Sequence, residues 1–220
     1  MNQSQSITVC EEIILLTVSD DGRLLRSHED VSVRAAVAGA CLVDLSFRGR
    51  VDNDLNNMFV VDDTPTGEPH LDEALSLLGP KGATLSLNNA VGAAYNASPT
   101  MYQKAINRLI ERKILEVREE SFLWVMKSRR YPPISNLVQA EAKQKIFNIL
   151  EGSGVPDPTE VALVTLAHDT NILSLFMSRK EIDRLLGRIG DLSKLDLTLQ
   201  AARRVSAEIQ VQIAMLITQI

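Results

Sequence analysis

Residues 30–47, DVSVRAAVAGACLVDLSF, decide the architecture. Val33, Val37, Ala40, Cys41, Asp44 and Leu45 recur at helical spacing with small residues between them, so the segment reads as a closely packed, buried helix. Asp44 is its one awkward member, a carboxyl group on an otherwise apolar stripe. Upstream, Thr8 precedes the apolar run Ile13, Ile14, Leu15 and Leu16, and Glu11 follows it by three residues. That pattern predicts a first helix opened by a capping box and stopped by the turn Asp20, Asp21, Gly22. Downstream come a short strand over 58–61 and a helix over 71–78 ended by Gly79 and Pro80. Residues 81–97, rich in Gly, Ala, Asn and Ser with little periodicity, predict a loop or a short, weak helix. Pro99 suits the first turn of the next helix, whose core positions are Tyr102, Ala105, Ile106, Leu109 and Ile110.

Two strands follow, over 114–118 and 122–126, and the polar residues Glu119, Glu120 and Ser121 between them predict a β-hairpin. Four further helices are expected over about 134–151, 157–177, 179–189 and 194–219. The whole reads as a mainly α protein, a single compact helical domain over residues 1–220 with a protruding apolar β-hairpin.

Composition agrees with a folded domain, at 45% hydrophobic and 23% charged residues. The two cysteines, Cys10 and Cys41, lie in apolar helical patterns, which suggests neither a disulfide framework nor a zinc site and fits a reducing cytosol. No secretory signal opens the chain, and its apolar runs are too short to span a bilayer as a helix. Net charge is −5, which argues against a general nucleic-acid binder, yet residues 98–150 hold 10 basic and 5 acidic side chains. That middle segment alone is basic.

Motifs for hydrolase, kinase or dinucleotide chemistry are missing: the sequence contains no G-x-S-x-G, G-x-x-x-x-G-K-[ST] or G-x-G-x-x-G. His168 and Asp169 lack further ligands at helical spacing, and Asp72 with Glu73 sits where a helix N-terminus favours negative charge. No enzyme, cofactor or metal is expected. The hairpin is more informative. Phe122, Leu123, Trp124, Val125 and Met126 are five consecutive apolar residues, and the two faces of a strand cannot both meet one core. Lys127, Arg129 and Arg130 follow at once, and an apolar tip beside a basic cluster suits insertion at an anionic membrane surface. Packing against a neighbouring subunit or helix is the other reading of the same pattern. A third treats residues 102–126 as the helix and wing of a DNA binder, with Lys104, Arg108, Arg112 and Lys113 on phosphates. Their 4-residue spacing also suits an ordinary solvated face.

Several stretches occur together in an order that is informative as a set: CLVDLSFRGR at 41–50, TPTGEPHLDEAL at 64–75 and RLIERKIL at 108–115. With the Glu11, Glu12 helix and the hairpin, they make the chain resemble the Golgi phosphoprotein 3-like family from about Thr8 to its C-terminus. The resemblance implies a mainly helical domain with an apolar hairpin, peripheral membrane attachment on the cytoplasmic side and homo-oligomerisation. In eukaryotic members it further implies recognition of phosphatidylinositol 4-phosphate and of the cytosolic tails of Golgi glycosyltransferases. Lipid recognition there rests on a tryptophan and arginines, and Glu29, Ala38, Pro99 and Tyr102 fall at those positions here. Arg34 and Lys104 are the nearby cations that could rebuild an anion site. A long basic N-terminal extension is lacking, which points to a bacterial member. The expected function is therefore a non-enzymatic peripheral membrane adaptor that binds anionic phospholipids more than one inositide, with membrane-protein tails as possible partners and no nucleic acid. The alternative is an oligomeric scaffold without lipid affinity.

Overall fold

The computed structural model describes residues 7–192, apart from 55, 123–125, 135, 153 and 155. The first helix, α1 (Val9–Leu16), opens as the sequence predicts: Glu11 N–H donates to Thr8 Oγ1 at 3.1 Å and Thr8 N–H to Glu11 Oε2 at 2.9 Å. Two orphan donors of the first turn remain, and the awkward Asp44 takes both, accepting Val9 N–H at 3.1 Å and Cys10 N–H at 3.0 Å. Asp44 comes from α2 (Val31–Phe47), whose Ala35, Ala36, Ala38, Gly39 and Ala40 are all buried. Small side chains let α1 and the later helices Leu87–Glu111 and Pro158–Asp169 approach this central helix closely, and an apolar cluster spreads from it through the fold. Cys10 and Cys41 are both buried and free.

Strands β1 (Val51–Asn53), β2 (Asn57–Val60) and β3 (Thr84–Ser86) form a small antiparallel sheet in the order β1-β2-β3, with α3 (Pro69–Leu78) between β2 and β3. The segment at 81–97, expected as a loop or a short, weak helix, is a turn only at its start. After β3 the chain enters α4 (Leu87–Glu111), a 25-residue helix capped by Ser86. Leu87, Ala90, Val91, Ala94 and Tyr95 are its first core-facing positions. The helical period was present, but in alanines too weakly apolar to stand out.

Pro99 therefore lies inside α4 rather than in its first turn. Proline supplies no N–H to the carbonyl four residues back, which would leave Tyr95 C=O without its helical partner. Two other donors replace it: Arg34 Nη2 reaches across from α2 at 3.1 Å, and Ser98 Oγ donates at 2.7 Å.

Helix ends explain a second difference. The expected helix over 157–177 stops as α6 (Pro158–Asp169), followed by a short 3-10 turn at Leu173–Leu175. Asn171 adopts φ +57, while Asn171 N–H donates to His168 C=O and Ile172 N–H to Ala167 C=O, a Schellman closure. Lys113 closes α4 with the same pattern at φ +58, and Gly49 closes α2 at φ +65. The remaining helices are α5 (Asn136–Glu151) and α7 (Arg179–Leu192); the expected helix over 194–219 lies outside the described residues.

The hairpin is present in a register different from the expected one. Strands β4 (Arg118–Phe122) and β5 (Met126–Arg130) pair from Arg118 opposite Arg130 to Phe122 opposite Met126. Glu119, Glu120 and Ser121 are thus strand residues rather than the connector, and residues 123–125 lie outside the described residues. The pairing continues towards the body through the bridge Leu115 to Pro133 and the bonds Glu116 N–H to Pro132 C=O and Ile134 N–H to Ile114 C=O. One two-stranded ribbon therefore starts at the C-terminus of α4 and returns to α5.

Candidate functional site

The basic stripe of α4 is an internal ladder rather than a solvated face. Lys104 Nζ lies 2.6 Å from Glu73 of α3, Arg108 Nε 3.1 Å from Glu68 and Arg112 Nη1 3.2 Å from Glu11 of α1. Glu68 and Glu11 have fully buried side chains, so these cations spend their charge inside the molecule. The helix-and-wing arrangement for nucleic acid loses its main phosphate contacts in this way.

His70 lies fully buried beside the ladder, with Nε2 3.1 Å from Thr8 Oγ1. Burial depresses its pKa from 6.5 to about 4, while burial raises that of Asp44 from 3.8 to about 7 against the pull of its two backbone donors. The two groups act on stability in opposite directions. Asp44 binds protons more readily in the folded state, so its contribution is complete below pH 3.8 and is lost as pH rises to about 7. His70 contributes above pH 6.5 and loses that contribution as pH falls to about 4. In urea titrations at stepped pH, Asp44→Asn should leave a stability that rises with pH over this interval, and His70→Gln one that falls. Identical pH profiles for the two variants would refute the assignment.

The positions at which the resemblance expects lipid-binding side chains gather where the N-terminal half of α2 meets the middle of α4. His28 stacks on Tyr102 with ring centroids 5.6 Å apart, and its Nε2 is 3.3 Å from Glu29. Arg34 lies over the Tyr95 ring at 4.3 Å and donates from Nε to Ser98 Oγ at 3.4 Å, beside Pro99. Ala38 is fully buried. Arg34 and Lys104 serve different partners: Lys104 stands six residues beyond Ser98, about 9 Å of helix rise, and faces α3.

Of the hairpin residues, Leu123, Trp124 and Val125 lie outside the described residues; Phe122, Met126 and Lys127 are placed by backbone pairing. Arg129 is exposed on β5, opposite Glu119. Arg130 Nη1 is 3.4 Å from Asp21 Oδ2, while Lys143 of α5 reaches Asp20 at 3.0 Å. The same turn holds the ribbon's foot through its backbone, because Tyr131 N–H donates to Gly22 C=O at 2.7 Å. The sequence signalled this turn only as a helix stop. Among the described residues, no three His, Cys, Asp or Glu side chains are grouped to hold a metal ion, and no helix is long and apolar enough to cross a membrane.

The sequence model of the family described as Golgi phosphoprotein 3 (GPP34) matches residues 9–209. The chain is also similar to the vacuolar protein sorting-associated protein 74 of Eremothecium gossypii, at 26% identity over 216 aligned positions. The match covers 81% of this chain and 64% of that protein.

Proposed function

Because the chain belongs to the Golgi phosphoprotein 3 family, we propose that it is a non-enzymatic peripheral membrane adaptor whose hairpin enters the surface of an anionic bilayer. The observation that carries this reading is the ribbon register. Phe122 and Met126, the first and last residues of the apolar run, form the last backbone pair of a ribbon that extends from Leu115 to Phe122, about 23 Å at 3.3 Å per residue. Each large apolar side chain that leaves water there contributes about 1.5–3 kcal/mol, and each of Lys127, Arg129 and Arg130 about 1 kcal/mol near anionic lipid. Such attachment is reversible for one hairpin and strengthened when several act together, so a homo-oligomer is part of the proposal, with membrane-protein tails as its cargo. Binding by charge rather than by one inositide is favoured by the site on α2 and α4. Ala38 carries no charge, Glu29 carries the wrong sign, and Arg34 is engaged by Tyr95 and Ser98.

Replacing Phe122, Leu123 and Trp124 with Ser should weaken sedimentation with vesicles containing phosphatidylglycerol while leaving the urea midpoint unchanged. Trp124, the single tryptophan, should shift its emission to the blue when vesicles are added. Equal pelleting of the two proteins would remove the hairpin from membrane binding. A preference for phosphatidylinositol 4-phosphate at matched vesicle charge, persisting at high salt, would instead reveal a preorganised head-group pocket.

A further inference from the structure

The turn at the foot of the ribbon holds two cations with unequal firmness. Asp21 is bound closely by its own loop, with Ser19 Oγ donating at 2.5 Å and Arg23 Nε at 2.7 Å, whereas Arg130 is its longest contact at 3.4 Å. Hydrogen bonding, from Ser19 first, holds the Asp21 carboxyl below its usual range, so it is ionised at neutral pH. Asp20, whose side chain is 82% exposed, holds Lys143 on the next residue of the same turn. The carboxylates are open to water while Arg130 and Lys143 are 29% and 23% exposed, and ion pairs that solvent reaches contribute little, so each of these two contacts can be exchanged at little cost. Both cations lie where the basic ribbon leaves the body.

We propose that Arg130 and Lys143 form a phosphate head-group site at the foot of the hairpin, which the free protein fills with its own Asp21 and Asp20, and that an anionic bilayer binds by taking their place. The proposal rests on the membrane reading above and adds its regulation: the acidic turn is a counter-anion that weakens attachment to surfaces too poor in anionic lipid to compete. Asp21 keeps Arg23 and Ser19 after the exchange, so the turn does not unfold.

A double-mutant cycle on vesicles of phosphatidylcholine doped with phosphatidylglycerol tests the exchange. Asp21→Asn should tighten binding roughly fivefold, the effect of one charge near an anionic surface. In an Arg130→Gln background the same change should gain less than about twofold, because the cation it releases is gone. Asp20→Asn should behave likewise with Lys143→Gln. Equal gains in both backgrounds would mean that the aspartates only repel the bilayer at long range, and would overturn the exchange while leaving membrane binding intact. A hairpin Ser variant that still binds, with the cycle preserved, would overturn insertion and leave the exchange standing. Wild-type and Asp21→Asn proteins that both ignore the vesicles would overturn the two together. Inorganic phosphate, added at matched lipid phosphate and ionic strength, should compete poorly; efficient displacement would assign the site to free phosphate and not to a bilayer.

Discussion

Gly22→Ala should lower the stability of this protein by about 2–5 kcal/mol, although the substitution adds only one methyl group to a turn. Gly22 has φ +81, where an L side chain costs about 1–2 kcal/mol. Its added Cβ would also lie 2.2 Å from Pro132 N and 2.6 Å from Pro132 Cα and Cδ. The obstacle is backbone and ring, with no flexible side chain to move aside. Overlap of this kind adds typically 1–3 kcal/mol. The turn cannot retreat freely, because Tyr131 N–H is bonded to Gly22 C=O and Leu115 pairs with Pro133. Strain is therefore relieved by tilting the ribbon. Six residues separate Pro132 from Met126, about 20 Å, so a tilt of about 10° moves the tip about 3.5 Å. Urea unfolding measures the first effect, and amide exchange at Tyr131 the second. A midpoint within error of the wild type would show that the turn yields and does not clamp the ribbon.

The second large effect belongs to the ladder on α4. Arg108→Ala should cost about 3–5 kcal/mol, because it removes the guanidinium that faces a fully buried carboxylate on Glu68. Glu68 Oε1 already has no hydrogen-bond partner among the described residues, so the carboxyl group left behind would have little else there to stabilise its charge. Adding Glu68→Ala should recover part of the loss, since the buried charge then disappears with its partner. A simple packing defect would give additive losses. That outcome would refute the electrostatic account.

Several features of this fold were legible before any coordinates. Thr8 with Glu11 announces the start of α1, and the small-residue stripe of 30–47 announces a buried α2. These signals are local: each concerns backbone groups and side chains within about one turn of one another, and their chemistry is nearly independent of what packs outside. The hairpin's existence was legible on the same grounds, but its register was not. A polar triplet resembles a turn until the bridge at Leu115 and Pro133 sets the count of residues along both strands.

What tertiary structure decided depends on partners far away in the chain. The cation that lets α4 run through Pro99 is Arg34, 61 residues before the carbonyl it satisfies. Arg112 finds Glu11 across 101 residues, and Arg130 finds Asp21 across 109. Each of these side chains, read in its own segment, is an ordinary charge on a solvated face or an ordinary turn residue. The sequence by itself determined which segments coil and where apolar surface must be covered. Which charges are paired inside the fold was decided only when packing brought distant acids within hydrogen-bonding distance, because a Coulomb pair is set by separation in space and burial, and neither is written in the spacing of residues along one helix.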